Sequence, residues 1–105
     1  MSTLSTHVLD TALGKPARGI PVSLERDGAV LGSAVTDTDG RVKTFPALAP
    51  GFYRLSFAVG EYFKLGGRES LYTTIVIQFT TTQDSDHYHI PLLLSPFGYT
   101  TYRGS

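Results

Sequence analysis

Polar and apolar residues trade places at every second position over much of the chain. Ile20, Val22 and Leu24 alternate with Pro21, Ser23 and Glu25. Tyr53, Leu55, Phe57 and Val59 share one parity, and Arg54 and Ser56 the other. Ile75, Ile77 and Phe79 repeat the pattern inside Tyr72–Thr80. A period of two is the spacing of a strand with one buried face. Further strands are predicted over Leu4–Asp10, Val30–Thr36, Arg41–Phe45, His87–Ser95 and Phe97–Tyr102. The segments between them, Thr11–Gly19, Asp27-Gly28, Thr36–Gly40, Pro46–Gly51 and Thr81–Asp86, concentrate turn residues and read as turns and loops. Glu61–Leu65 is the one helical turn, stopped by Gly66-Gly67. About eight short strands at such spacing predict an all-β sandwich or barrel with one short helix. With no repeat, linker or low-complexity tract, residues 1–105 read as a single domain.

Charge narrows the classes of partner. Nine Lys plus Arg balance nine Asp plus Glu, with no basic run. Neither nucleic acid nor a membrane surface is therefore expected as a partner, and little self-repulsion opposes association. There is no cysteine, so neither a disulfide nor a thiolate contributes. The longest apolar stretch, Ile90–Leu94, is too short to span a bilayer. The first residues lack the charged and apolar regions of a secretory signal, which gives the expectation of a cytoplasmic protein.

Candidate chemistry centres on three histidines. His87 and His89 are two apart in a predicted strand and share a face. His89 precedes an apolar run, and His7 sits inside the first strand between Thr6 and Val8. A lone histidine is ordinarily a surface or satisfied core residue; two in separate strand interiors of so small a chain also fit a functional pair. His-x-His with a distant His suits a three-histidine zinc site as well. Such a site needs carboxylates behind the rings, and Asp84 and Asp86 lie in a turn beside His87 instead. No metal site is assigned. Neither a Gly-x-Ser-x-Gly elbow nor a Gly-x-Gly-x-x-Gly fingerprint occurs. Thr36–Gly40 faintly echoes a calcium loop, but Pro46 occupies the position of the closing Glu, so a plain turn is expected. Arg41 follows it, a donor fork suited to carbonyl and anionic oxygens or to a solvated sheet edge. Tyr102–Ser105 comes directly after a strand-like aromatic segment and is expected to be pinned, where most termini fray.

Several segments carry a resemblance. Ser5-Thr-His-Val-Leu-Asp10 is followed by Gly14-Lys-Pro-Ala17, Asp37-Thr-Asp-Gly-Arg41 and Gly51-Phe-Tyr-Arg-Leu55. The chain closes on His87-Tyr-His-Ile-Pro-Leu-Leu-Leu-Ser-Pro-Phe-Gly-Tyr-Thr-Thr-Tyr-Arg-Gly-Ser105. Together these resemble the transthyretin-like family over essentially the whole chain. That family holds hormone carriers and 5-hydroxyisourate hydrolases. The carriers have Lys at the place of His7 and Thr at the place of His89, and they lack the final Tyr-Arg-Gly-Ser. The residues at His7, Arg41, His89 and Tyr102–Ser105 follow the hydrolase pattern.

The resemblance implies a transthyretin-like two-sheet sandwich and a homotetramer with sites at the dimer–dimer interface. It implies a small purine-derived substrate, 5-hydroxyisourate, hydrolysed to 2-oxo-4-hydroxy-4-carboxy-5-ureidoimidazoline in urate degradation, with no cofactor. His7, Arg41, His89 and Ser105 would be catalytic; His7, Arg41, Tyr102 and Arg103 would bind substrate. The two histidines would activate water and shuttle its proton, and Arg41 would hold substrate oxygens. Ser105 would orient a histidine or the water through its hydroxyl and a terminal carboxylate, and Gly104 would let the backbone turn tightly into the pocket. The alternatives are a non-catalytic transthyretin-like carrier of small ligands and a zinc hydrolase.

Overall fold

The computed structural model describes residues 1–105 throughout. In chain order its elements are β1 (Thr3–Asp10), β2 (Lys15–Pro16), β3 (Pro21–Arg26), β4 (Ala29–Val35), β5 (Arg41–Val42), β6 (Gly51–Phe57), α1 (Val59–Leu65), β7 (Ile75–Thr81), β8 (His87–Ser95) and β9 (Gly98–Thr101). They form two sheets. One runs β4-β3-β6-β7, antiparallel throughout. The other runs β2-β1-β8-β9, with β5 also on β1. This is the two-sheet sandwich with one short helix expected from the sequence.

The second sheet positions the chemistry. Its central pair, β1 and β8, is parallel, with Thr3 opposite His87, Ser5 opposite His89 and His7 opposite Pro91. The other edge of β1 is covered in two pieces: β5 pairs Thr6 and His7, and β2 pairs Leu9 and Asp10. Strand alternation then sorts the faces. Leu4 and Val8 from β1, and Tyr88, Ile90, Leu92 and Leu94 from β8, point inward and are buried. Against them, from the first sheet, pack Val22, Leu24, Tyr53, Leu55, Phe57, Ile75 and Ile77. The odd-numbered residues of β1 and β8, histidines included, are left on the outer face.

Two polar residues of β1 point into the core, and each has partners. Thr6 Oγ1 donates to the Ile90 carbonyl at 2.6 Å. Asp10 is fully buried and accepts from Tyr62 Oη at 2.7 Å, from the Leu13 N–H at 3.0 Å and from Arg68. A buried carboxylate persists only when paired and hydrogen-bonded. Burial pushes the Asp10 carboxyl up, but the bonds from Arg68, Tyr62 and Leu13 outweigh it and hold the group below its usual range. Tyr62, buried against that carboxylate, is pushed up to about 12. The Arg68 guanidinium lies over the Tyr62 and Phe63 rings of α1, so the same network fixes the helix.

Several boundaries differ from those predicted, for local reasons. Val59 shares the parity of β6 but begins α1, whose inward residues are Val59 and Phe63. The predicted Arg41–Phe45 strand is only Arg41–Val42, which pairs with His7 and Thr6 of β1. The short β2 lies inside the segment read as a turn, and β7 begins at Ile75, later than Tyr72. The Asp27-Gly28 hairpin forms as predicted, with φ of 53° and 78°, the handedness that matches strand twist.

Candidate active site

His7, Arg41 and His89 come together on the outer face of the second sheet. The pairings place them there: Ser5 of β1 lies opposite His89, and Arg41 of β5 lies opposite His7. All three side chains are half-buried. They stand on an open sheet surface, and none of the main surface clefts is lined by any of them.

Arg41 is delivered by the turn at 37–40. The Asp37 carboxylate accepts from the N–H groups of Asp39 and Arg41, each at 2.9 Å, and the Gly40 N–H donates to the Asp37 carbonyl. The carboxylate is thus used to shape a turn and leaves no calcium-loop geometry. Gly40 has φ of 74°, and its carbonyl accepts from the Val8 N–H at 2.7 Å. A Cβ there would lie 2.4 Å from the Val8 carbonyl oxygen. Only glycine permits this approach, which brings the next residue, Arg41, level with His7.

His89 is held from two sides. Its Nδ1 is 2.8 Å from Ser5 Oγ, and the same oxygen is 2.9 Å from His87 Nε2. His87 Nδ1 in turn meets Thr3 Oγ1 at 2.5 Å. On the other side the chain's tail returns to β8. The Gly104 N–H donates to the His89 carbonyl at 2.8 Å, closing an antiparallel bridge. A Cβ at Gly104 would fall 2.5 Å from His89 Cδ2. Gly104 is therefore required for close packing against the imidazole: the absent Cβ, rather than a left-handed φ, is what the position uses.

Burial and the Arg41 charge both lower the affinity of His7 for a proton, and the carbonyl of Asp39 and the Asp37 and Asp39 charges only partly offset this. His89 is lowered by burial first, then by Arg41, His7 and His87. Both rings are neutral at pH 7, the form that accepts a proton. The acid limb of kcat/KM is expected below pH 6.5, the ordinary histidine value. Unfolded chains bind these protons more tightly, so stability also falls as pH drops below 6.5. A pH–rate profile paired with melts at each pH checks both; an acid limb above 6.5 contradicts the neutral-imidazole site.

Not every expected residue gathers on this face. Tyr102 and Arg103 line a cleft of about 240 Å³ at the sandwich edge, with Ile77, Phe79, Tyr88 and Ile90. The Arg103 guanidinium lies 4.5 Å from the centre of the Tyr88 ring and donates to the His87 carbonyl at 3.3 Å. Within one chain it faces away from His7. Ser105 follows the Gly104 bridge and is exposed. No three His, Cys, Asp or Glu side chains converge as metal ligands, since the His87 ring engages Thr3 and Ser5. Sequence reasoning assigned no role to Ser5 or Thr3. Their period-two placement with His7 was the available signal.

Residues 4–104 match the HIUase/Transthyretin family. A 5-hydroxyisourate hydrolase from Caulobacter vibrioides is 45% identical, with the alignment covering 100% of both chains. A solved Klebsiella pneumoniae 5-hydroxyisourate hydrolase superposes with a TM-score of 0.91 at 45% identity, covering 100% of this chain and 94% of that one. A sea bream transthyretin, solved in complex with thyroxine, superposes with a TM-score of 0.88 at 27% identity, covering 97% of this chain and 94% of that one. No helix of the chain is long and apolar enough to cross a membrane. Matched along nearly its whole length in sequence and in fold, the chain belongs to the HIUase/Transthyretin family.

Proposed function

We infer that this protein hydrolyses 5-hydroxyisourate, opening its cyclic amide to 2-oxo-4-hydroxy-4-carboxy-5-ureidoimidazoline. The observation that carries the reading is the meeting of His7, Arg41 and His89 on one outer sheet face, in a chain 45% identical along its whole length to a protein of that name.

Hydrolysis needs a positioned water, a base for its proton, donors for the developing oxyanion and a proton for the departing nitrogen. The neutral imidazoles of His89 and His7 activate the water and move its proton. Arg41 binds the substrate oxygens and stabilises the charge that develops on the carbonyl oxygen, a contribution of about 10² to 10³ for one such donor. As the tetrahedral centre collapses, the ring C–N bond breaks and the nitrogen takes up a proton. Ser105 supplies a hydroxyl beside the Gly104–His89 bridge, and Tyr102 and Arg103 shape the substrate's surroundings. The test is direct: generate hydroxyisourate in situ with urate oxidase and follow its decay. A decay rate unchanged by the protein would leave the small-ligand carrier as the reading.

The open face bears on assembly. Half-buried histidines on an open sheet surface face water on their outward side, and a second copy laid against them closes that side. We therefore assign the protein a homotetramer with its sites where dimers meet. Light scattering is expected to give about four times the 11.4 kDa chain mass. A stable, active monomer would contradict this. The chemistry assigned to the side chains needs no metal, so chelator-treated protein is expected to keep full activity; a loss restored by added zinc would overturn that.

A further inference from the structure

We propose that Thr3, His87, Ser5 and His89 form one directional hydrogen-bond chain that holds the His89 proton on Nδ1 and leaves its Nε2 lone pair free as the general base. This rests on the hydrolytic reading above and deepens it, naming the base, its reacting atom and the residues that position it.

The chain is built by strand register. Thr3 and Ser5 of β1 lie opposite His87 and His89 of β8, and all four side chains emerge on the same face. Ser5 Oγ sits between the two rings, 2.9 Å from His87 Nε2 and 2.8 Å from His89 Nδ1. Thr3 Oγ1 closes the far end on His87 Nδ1. Three oxygen–nitrogen contacts thus join four side chains in a line.

Its direction follows from counting protons. A hydroxyl has one proton to give, and a neutral imidazole has one N–H and one lone pair. Thr3 Oγ1 donates to the Asp86 carbonyl at 3.3 Å, and a carbonyl can only accept. That contact uses the Thr3 proton, so the Thr3 oxygen accepts from His87 Nδ1–H. His87 Nε2 then carries a lone pair and accepts from the Ser5 hydroxyl. The Ser5 oxygen accepts from His89 Nδ1–H. What remains on His89 is an unprotonated Nε2. The reverse order, in which Thr3 gives its proton to His87, ends with a proton on His89 Nε2 and no base there.

The surroundings of His89 agree with this use. Burial first, then Arg41, His7 and His87, opposes its protonation, so the lone pair is present at neutral pH. When Nε2 takes the proton of the attacking water, Nδ1–H still donates to Ser5, and the imidazolium keeps its orientation. Ser5, His87 and Thr3 are positioning residues: they act through His89 and touch no substrate. In a triad the buried acid fixes the tautomer of the base in the same sense. Here a neutral hydroxyl and a second histidine do so.

The experiment reads the tautomer directly. Long-range proton–nitrogen spectra of full-length protein labelled at histidine, taken at pH about 8, report which nitrogen of each ring is protonated. Nδ1–H is expected for both His87 and His89. An Nε2–H tautomer for His89 in active protein overturns the proposal. Ser5→Ala is expected to scramble the His89 tautomer and to lower kcat by about 10- to 100-fold, the scale of losing an orienting partner, with KM changed less than about twofold. Ser5→Thr keeps the hydroxyl and is expected to restore both the tautomer and most of kcat. Ser5→Ala with either property unchanged overturns the proposal. Failure of the unmodified protein to hydrolyse hydroxyisourate removes the hydrolytic reading, and with it the base role, and the tautomer spectrum tells that failure apart from a wrong chain direction.

Discussion

His89→Ala is expected to lower turnover by two or more orders of magnitude with the fold intact, within the range of about 10² to 10⁴ for a proton-transfer group. The fold survives because His89 lies on the outer face of β8 and contributes nothing to the core, which is built from Tyr88, Ile90, Leu92 and Leu94 on the other side. His7→Ala is expected to have an effect of the same order, since His7 stands on the same face with Arg41 opposite. His87→Ala is expected to cost about tenfold, as befits a residue acting through its neighbours. Turnover measured for the three variants, with melting curves beside them, decides the matter. A His87 variant slower than the His89 variant would mean that the wrong member of His-x-His has been given the chemistry.

Deleting Arg103–Ser105 is expected to remove hydrolysis almost entirely, by about 10² or more, while the protein still folds. The tail is not loose. Gly104 bridges to the His89 backbone and its α-carbon lies against the imidazole edge. Without it the ring loses the wall beside Cδ2, and the hydroxyl of Ser105 goes too. The cost to stability is small but not zero, because Arg103 covers the Tyr88 ring. A cation over an aromatic ring at an exposed site contributes about 0.5–1 kcal/mol, or roughly 2–8 °C in melting temperature for a domain of this size. Gly104→Ala is the finer probe. It keeps every backbone hydrogen bond but sets a Cβ 2.5 Å from His89 Cδ2, and a displacement on the scale of 1 Å costs about 10²-fold. A truncated protein that is folded and as fast as the full chain would remove the tail from the site, leaving His7, Arg41 and His89 alone.

Much of the molecule was legible in local pattern. Parity assigned the inward residues of β3, β6 and β7 before any tertiary contact was known, because a strand's two faces are fixed by its own backbone geometry. Asp27-Gly28 announced its hairpin, since only a positive-φ pair matches the twist of the strands it joins. The two-residue spacing of His87 and His89 put both on one face for the same reason. The histidine at position 7, the arginine after the 37–40 turn and the last four residues stood out as candidates, the resemblance gave them roles, and β-pairing then placed Arg41 opposite His7 on β1 and the tail beside β8.

What the chain alone determined was which side chains share a face of their own strand. Which strands lie side by side, and in what register, was decided by the tertiary structure. Ser5 and His89 are 84 positions apart, and nothing local says they meet; the parallel register of β1 on β8 follows from burying Leu4 and Val8 with Ile90 and Leu92 in a common core. Asp10 shows the same limit from inside. Its parity with Leu4 and Val8 marks it as inward, but only folding brings Tyr62 and Arg68, 52 and 58 residues away, to satisfy it. Arg103 shows it at the edge, where only folding sets its guanidinium over the Tyr88 ring, in the cleft between the sheets. The period of a strand is a property of neighbouring residues, whereas a hydrogen bond between two strands depends on how the whole core closes.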